Sequence, residues 1–225
     1  MSDSLRTKAI ILSRINYGEA DRIMQILTPE SGRMGVIAKG VRREKSKLAG
    51  GIELLAVCDL VIHQGRGELG LIISARLDTF FAHILEDYDR LQFAYYVLKD
   101  VSKAAEVLAE PAFYELTKTA LSSLNAKNIS LNVVELWYRL QMAILLGVGI
   151  NLATDNHGMK LVQDARYRFD IDDMAFVYNE QGPYTSDHIK LLRVASAQNP
   201  HIIAQVKGID QLIDTACDIG RIAHE

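Results

Sequence analysis

A cluster of positive charge at residues 39–51, KGVRREKSKLAGG, is the part of this sequence best suited to binding a charged partner. Five cations stand within nine residues, interrupted by a single acid; they are Lys39, Arg42, Arg43, Lys45 and Lys47. Glycines at both ends let the backbone turn freely. A cationic loop between strands can hold a phosphate backbone by electrostatic attraction. We therefore predict that this segment, the basic loop (residues 39–51), is mobile and contacts nucleic acid.

A simpler interpretation is a solvated surface loop, which is what most charged runs are. The distribution of charge favours a binding role. Residues 1–80 carry 12 Lys and Arg against 9 Asp and Glu, whereas residues 81–225 carry 13 against 19. The whole chain has a formal net charge of -3. The sequence thus predicts an N-terminal region that faces a polyanion, attached to an acidic body.

The first 80 residues have the pattern of a small β domain. Apolar, β-branched runs alternate with turn residues, and they cover residues 8–15, 22–28, 33–39, 56–64 and 69–77. Pro29 and Gly32 supply the backbone angles of a tight turn between the second and third runs. Five short strands of this spacing predict a small closed barrel or a sandwich. Their number and length fit a five-stranded barrel of the oligonucleotide-binding (OB) type. The basic loop would join its third and fourth strands.

After residue 80 the apolar residues recur at the spacing of helices. Helices are predicted over about 81–124 with a break at Glu110–Pro111, and over 130–147, 188–197 and about 208–223. Residues 160–171 and 174–178 alternate in polarity, which predicts two antiparallel strands. The predicted fold class is α+β with two domains: an OB barrel over 1–80, and a mainly helical domain over 81–225 with a small β-hairpin at about 160–179.

The sequence offers little catalytic chemistry. Its six histidines and two cysteines show no zinc-ligand spacing. Cys58 and Cys217 stand in apolar patterns and are predicted to pack as small hydrophobic residues in a reducing compartment. The glycines around Arg66 form no nucleotide-binding loop, and neither a signal peptide nor a membrane-spanning stretch is recognisable. We therefore predict no catalytic residue, no metal site and no cofactor.

Residues 8–72 resemble the RecO family of bacterial recombination mediators. The shared features, in chain order, are Tyr17-Gly18-Glu19-Ala20-Asp21, Leu27-Thr28-Pro29 with Gly32, Ala38-Lys39-Gly40, Ser46-Lys47-Leu48 before Gly50-Gly51, and Gly65-Arg66-Gly67-Glu68-Leu69. A weaker similarity covers residues 135–147 and 189–193. The resemblance implies an OB barrel packed on a helical domain, and a non-enzymatic role in DNA recombination and in the repair of DNA damage.

The resemblance also implies partners. Family members bind single- and double-stranded DNA, anneal complementary strands, and work with RecR and the single-strand DNA-binding protein to help load the RecA recombinase. The single-strand DNA-binding protein ends in an acidic, apolar tail, which needs a cation beside an apolar groove. We expect that site in the helical domain, and we expect Arg139 to pair with Glu135 instead of binding the tail. The expected location is the cytoplasm, at the nucleoid.

Many members of the family also carry a four-cysteine zinc module after the helix matched here by residues 130–147. This chain has no cysteine between residues 59 and 216. The predicted hairpin at 160–179 would occupy the place of that module, and we therefore expect the chain to bind no zinc.

The candidate DNA-binding residues are the cations of the basic loop, three further arginines and one tyrosine. They are Arg14, Arg33, Lys39, Arg42, Arg43, Lys45, Lys47, Arg66 and Tyr17. An exposed Tyr17 ring could stack on a base, although a ring that merely caps the barrel is an equal alternative. Two other functions remain open, since a fold does not fix a function. One is an RNA-binding OB protein, and the other is an adaptor whose basic loop docks an acidic peptide tail.

Overall fold

The computed structural model describes residues 4–65 and 67–224, and within them the fold begins with a five-stranded barrel. Its strands are β1 Ser4–Tyr17, β2 Asp21–Thr28, β3 Gly32–Ala38, β4 Ala56–His63 and β5 Gly70–Phe80. They are ordered β1-β2-β3-β5-β4 and the sheet closes because β4 also pairs with β1. The β3–β5 pair is parallel and the other pairs are antiparallel. The predicted OB type of fold is confirmed.

Aliphatic side chains fill the interior of the barrel. Met24 and Ile26 of β2 point inward, as do Val36 and Ala38 of β3, and all four are almost completely buried. Successive residues of a strand point to opposite faces of the sheet. The residues between these core positions therefore lie on the outer face of the barrel, where a ligand or a helix can reach them.

Two helices cover part of that outer face. After a 3-10 turn, α1 (Tyr88–Val107) begins at Asp87, whose side chain accepts a hydrogen bond from the Arg90 amide at 3.1 Å. The Glu110–Pro111 break precedes α2 (Ala112–Asn125). Helix α1 packs on β1 and β3, and α2 packs on β2. This packing accounts for the complete burial of Ile10 and Leu27, which point out of the barrel.

The chain divides into two compact units after Asn125, so that α1 and α2 belong with the barrel. The domain boundary predicted near residue 80 marks the change from strands to helices. That residues 1–80 and 81–225 form separate domains stays a prediction.

The second unit combines helices with a small sheet. Its elements are α3 Leu131–Leu145, β6 Asn151–Asp155, β7 Arg166–Asp170, β8 Ala175–Tyr178, β9 Tyr184–Thr185, α4 Ser186–Ala197, α5 Pro200–Ile203 and α6 Ile213–Ala223. The described strands are ordered β6-β8-β7-β9. The antiparallel pair β7–β8 lies where the hairpin is predicted. Its first strand is shorter than predicted, and β6 and β9 enlarge the hairpin to a sheet.

Aromatic rings form the core of this small sheet. Phe176 is fully buried and makes edge-to-face contacts with Phe169 at 5.4 Å, Tyr184 at 5.7 Å and Tyr167 at 6.2 Å between ring centroids. Each such contact adds about 0.5–1.5 kcal/mol to the burial of the rings. Among the described residues, no group of three His, Cys, Asp or Glu is placed to hold a metal ion. None of the described helices is both long and apolar enough to cross a membrane.

Candidate nucleic-acid interface

The basic loop is a series of turns fixed to the barrel. Val41 and Leu48 pack against the barrel core. The Arg43 amide donates to the Gly40 carbonyl at 3.1 Å, and the Ser46 amide donates to the Arg43 carbonyl at 3.0 Å. The backbone is thus more constrained than the glycine content predicts. Its charged side chains are nevertheless exposed, from Arg42 to Lys45 and again at Lys47.

Two glycines of the loop are required by geometry. Gly40 has a φ of 64°, which a side chain would disfavour. A Cβ on Gly51 would lie 2.5 Å from the backbone of Ala75 in β5, which is closer than atoms can approach. These glycines therefore fix the path of the loop along the barrel, in addition to any flexibility that they provide.

The turn between β1 and β2 is hydrogen-bonded to the start of the basic loop. Asp21 Oδ1 accepts a hydrogen bond from the Gly40 amide at 2.7 Å, and the Ala20 carbonyl accepts one from the Arg42 amide at 2.9 Å. Arg42 Nη1 also donates to the Gly18 carbonyl at 3.5 Å. Tyr17, which is 55% exposed, ends β1 at this turn. An exposed ring and the guanidinium group of Arg42 are thereby held at one end of the barrel.

The loop cations are available to a ligand. Within residues 4–65 and 67–224, none of Lys39, Arg42, Arg43, Lys45 and Lys47 forms an ion pair with a carboxylate. Clustered cations that outnumber the carboxylates beside them create a positive potential that attracts phosphate groups. Tyr17, Lys39 and Arg42 thus lie around the β1–β2 turn, and the remaining cations follow in the same basic loop.

Two of the predicted arginines have acidic partners instead. Arg14 lies opposite the core residue Met24 and pairs with Glu53 at 3.1 Å. Arg33 pairs with Glu106 of α1 at 2.6 Å, and its side chain is only 21% exposed. Arg33 also stands at the opposite end of β3 from Lys39, about 20 Å away along the strand. Arg66 lies outside the described residues.

Comparison with known proteins identifies the barrel. Residues 1–81 match the family model for the N-terminal domain of recombination protein O. Residues 1–81 are thus similar to the N-terminal domain of RecO proteins. The resemblance predicted from residues 8–72 is therefore confirmed, and the hydrogen bond between Asp21 and Gly40 gives a physical reason why its turn motif and its loop motif occur together.

Similarity to RecO proteins extends beyond the barrel. The DNA repair protein RecO of Syntrophomonas wolfei is 26% identical over 153 residues, which are 68% of this chain and 60% of the relative. The DNA repair protein RecO of Rubrobacter xylanophilus is 31% identical over 142 residues, which are 63% of this chain and 57% of the relative. The match thus spans about 60% of the length of these curated relatives.

The RecO-type barrel also carries exposed apolar side chains that no sequence motif indicates. Ile15, Ile23, Ile37 and Leu71 are register partners on β1, β2, β3 and β5 in turn. We call these four residues the apolar row. All point outward, because their strand neighbours Met24, Val36 and Ile72 are core residues. Ile15 is 62% exposed and the other three are partly exposed. The sequence signal for this row is that successive residues of the strands are apolar, which places apolar side chains on the outer face as well as in the core.

A charged network on β1, β4 and β5 contrasts with the basic loop. Lys8 contacts Asp78 at 2.9 Å and Asp59 at 3.5 Å, and Arg76 contacts Asp59 at 2.6 Å. The hydrogen bond from Arg76, helped by the charge of Lys8, holds the pKa of Asp59 below its usual value. These cations are balanced by carboxylates, and they therefore attract a phosphate less than the loop cations do.

Proposed function

We propose that this protein is a DNA-binding recombination mediator of the RecO type, which acts in DNA repair without catalysing a reaction. The observation that carries the proposal is the group of exposed loop cations on a barrel of the OB type; among the described residues these cations form no ion pair with a carboxylate. Such cations displace condensed counterions from phosphates, and a nearby ring such as Tyr17 can stack on a base. The names of the relatives support DNA as the ligand in preference to RNA.

The finer steps of this function follow from the same chemistry and from the family. The protein would bind single and double strands, and it would anneal complementary strands because neutralised phosphates repel one another less. It would act with RecR and with the single-strand DNA-binding protein, and RecA loading would follow indirectly. The proposed location is the cytoplasm, at the nucleoid.

The state of the two cysteines supports a role without covalent chemistry. Cys58 and Cys217 are both buried and unpaired. Burial raises the pKa of Cys58 to about 11 and that of Cys217 to about 12. Since the thiolate is the nucleophile, neither residue is activated at neutral pH.

A salt titration tests the DNA site. The double variant Arg42→Ala/Arg43→Ala should flatten the slope of log affinity against log salt by about 1.4 for single strands, at about 0.7 for each lost contact. Binding should weaken on every sequence. Lys99→Ala/Lys103→Ala is the matched control, because it removes two exposed cations from α1. An equal change of slope in both double variants would show that the binding is not centred on the basic loop.

A groove in the second unit suits the acidic, apolar tail of the single-strand DNA-binding protein. It has a volume of about 780 Å³, and its lining includes Ile150, Leu152, Leu161, Lys160 and Arg193. A smaller adjoining cavity shares Leu161 and Arg193. Apolar walls beside two cations match the chemistry of that tail, which supports docking in the second unit.

The state of Arg139 agrees with this placement. As predicted, Arg139 pairs with Glu135, at 3.0 Å. It is therefore engaged with an acid of its own helix, and the proposed tail site uses the cations of the groove.

Titration of a labelled acidic tail peptide against the full chain tests the groove. Lys160→Glu should weaken peptide binding about tenfold, because it replaces attraction by repulsion at the groove. Lys99→Glu, which changes charge on α1, should leave peptide binding unchanged. If Arg42→Ala/Arg43→Ala abolished peptide binding and the peptide displaced DNA, the basic loop would be the docking site, as the adaptor hypothesis requires. Equal competition by single-stranded RNA of the same length would favour the RNA-binding alternative.

A further inference from the structure

Arg193 separates two neighbouring cavities of the second unit. We call the groove of about 780 Å³ the first cavity and the adjoining one, of about 110 Å³, the second cavity. Leu161 and Arg193 line both of them, and the two residues therefore form the wall between the cavities. Arg193 reaches this wall from α4. A single long side chain is thus part of what divides a longer groove in two.

Arg193 is held across the wall by one acceptor atom. Its Nε donates to the Leu152 carbonyl at 2.9 Å, and its Nη2 donates to the same oxygen at 2.6 Å. Arg193 is exposed, and within the described part of the chain it forms no ion pair with a carboxylate. Exposed side chains change rotamer within nanoseconds. The wall can therefore open through the movement of this side chain, while the backbone stays in place.

A carboxylate is a better acceptor for Arg193 than the Leu152 carbonyl. It offers two charged oxygens that match the fork of a guanidinium group, whereas the carbonyl offers one neutral oxygen. The released carbonyl could find a new donor, because β6 is an edge strand of the described sheet and an extended peptide can donate an amide to such an edge. An acidic peptide can thus replace both partners of this contact.

The walls of the two cavities have the charge that an acidic peptide requires. Lys160 and Arg193 line the first cavity, and Arg193 and Lys190 line the second, although Lys190 also pairs with Asp187 at 2.9 Å. Among the residues that the structure describes, neither wall includes a carboxylate. Residues 126–225 as a whole carry 12 Asp and Glu against 9 Lys and Arg. The apolar residues of the walls include Ile150, Leu152, Leu161, Val162 and Ile189.

We propose that Arg193 is a gate between the two cavities, and that a carboxylate of an acidic, apolar peptide opens it so that the peptide occupies both. This role rests on the proposed docking of the acidic tail in the first cavity and deepens it, because it adds the second cavity to the site. A short peptide fills only the first cavity, whereas a longer one also contacts the second. The site therefore selects for peptide length and for an acid placed beside Arg193.

The test compares two acidic, apolar peptides of about five and about ten residues, which span about 17 and 33 Å when extended. Both carry the same number of acids, and the longer one adds only apolar residues. It should bind the full wild-type chain about tenfold more tightly, through apolar contact with the second cavity. In Val162→Asn this ratio should fall to about two, because a polar side chain replaces an apolar one in the second cavity.

The control is Ile171→Asn, which makes the same kind of change at a similarly exposed position. Val162 is 58% exposed and Ile171 is 61% exposed, so that both variants should fold. Ile171 does not line either cavity. Ile171→Asn should therefore leave the affinity ratio of the two peptides at the wild-type value.

A second measurement follows the gate itself in the wild-type protein. The NMR resonance of the Arg193 Nε–H group, assigned by its absence from Arg193→Lys, should shift when the longer peptide binds, because the acceptor changes from a carbonyl to a carboxylate. A peptide of the same length with amides in place of its acids should leave the resonance in place at equal occupancy. An unchanged resonance at saturation with the acidic peptide, or an equal shift with the amide peptide, would overturn the gate.

Failure of the gate and failure of the proposed tail docking give different results. If neither acidic peptide bound the wild-type protein, the docking itself would be wrong. If both peptides bound with equal affinity, the docking would stand and the role of the second cavity would be refuted. An equal fall of the affinity ratio in Val162→Asn and Ile171→Asn would refute it as well.

Discussion

The cations of the basic loop have surroundings opposite to those of Arg139 and Arg221 in the second unit. In the described chain, the loop cations are exposed and lack carboxylate partners. In the second unit, Arg221 and Arg139 both contact Glu135 at 3.0 Å. A binding surface is therefore marked by what surrounds its cations, and not by how many there are.

Glu135 is the centre of the strongest contrast with the loop. Its side chain is only 11% exposed. Burial by itself would raise the pKa of Glu135, but the hydrogen bond from Arg221 and the charges of Arg139 and Arg221 outweigh burial and lower it. The carboxylate thus contributes stability above the ordinary pKa of a glutamate, and that contribution is lost as the pH falls through the lower pKa of the folded state.

The largest expected effect is the loss of this carboxylate. Glu135→Gln should destabilise the protein by about 3 kcal/mol, because it leaves two partly buried guanidinium groups without a counter-charge. Urea denaturation at neutral pH measures the change. Glu115→Gln, which breaks an exposed pair with Lys118, is the control and should cost less than about 0.5 kcal/mol. Equal costs for both variants would show that Glu135 is no more structural than a surface acid.

The next effect concerns a histidine that caps α4. His188 is 7% exposed, and its Nδ1 accepts a hydrogen bond from the Thr185 amide at 3.1 Å. Burial lowers the pKa of His188. The folded protein keeps this ring neutral, whereas the unfolded chain takes up a proton below about pH 6.5. Stability should therefore be full above pH 6.5 and should decline as the pH falls below it.

His188→Asn tests this assignment. The asparagine oxygen can replace the accepting nitrogen but does not titrate, and the decline in stability below pH 6.5 should become shallower. His188→Ala should cost about 1 kcal/mol at pH 7.5 through loss of the cap. Denaturation curves from pH 5 to 8 measure both effects. An identical pH profile for wild type and His188→Asn would mean that another group controls this range.

A smaller effect is expected from an exposed pair on the small sheet. Arg168 contacts Asp170 at 3.1 Å, and about half of the Arg168 side chain is exposed. Arg168→Ala should cost about 0.5 kcal/mol at low ionic strength and less in high salt, since exposed pairs are screened. A cost that does not depend on salt would indicate that packing of the side-chain stem matters more than its charge.

The smallest effect on stability is expected in the basic loop. Arg42→Ala/Arg43→Ala should leave the free energy of unfolding within about 0.5 kcal/mol of wild type, because exposed charges contribute little to folding. Thermal unfolding of the same sample used for DNA binding provides the measurement. A loss of more than 1 kcal/mol would show that these arginines, like Arg139 and Arg221, are structural.

The barrel could be predicted from the sequence because its signals are local. Alternating apolar residues mark the strands, and Pro29 with Gly32 marks a turn, so that all five strands were found. Helix α3 was found from its apolar periodicity in the same way. Strand β6 pairs with β8 at only two, irregularly spaced positions and β9 has two residues, so that neither gives a clear pattern.

The candidate site was harder to predict, because acids far away in the sequence determine which cations are free to bind a ligand. The acid that pairs with Arg14 is 39 positions away, and the acid that pairs with Arg33 is 73 positions away. No local sequence pattern indicates such pairs. The sequence likewise shows outward apolar residues at both Leu27 and Ile23. Only the packing of α1 and α2 on the barrel determines that Leu27 is buried and that Ile23 is accessible.

The parallel pairing of β3 with β5 affects how the barrel opens and closes. In the described chain only two register pairs join these strands, Val36 with Gly70 and Ile37 with Leu71, and their partners are far apart in sequence. Closing a distant contact costs chain entropy, and two pairs offset little of it, whereas seven pairs hold the even more distant β1–β4 contact. The β3–β5 seam should therefore form last and open first. Amides of residues 70 and 71 should then exchange hydrogen faster than those of β2. A ligand that lies across Ile37 and Leu71 would bridge the seam and slow that exchange.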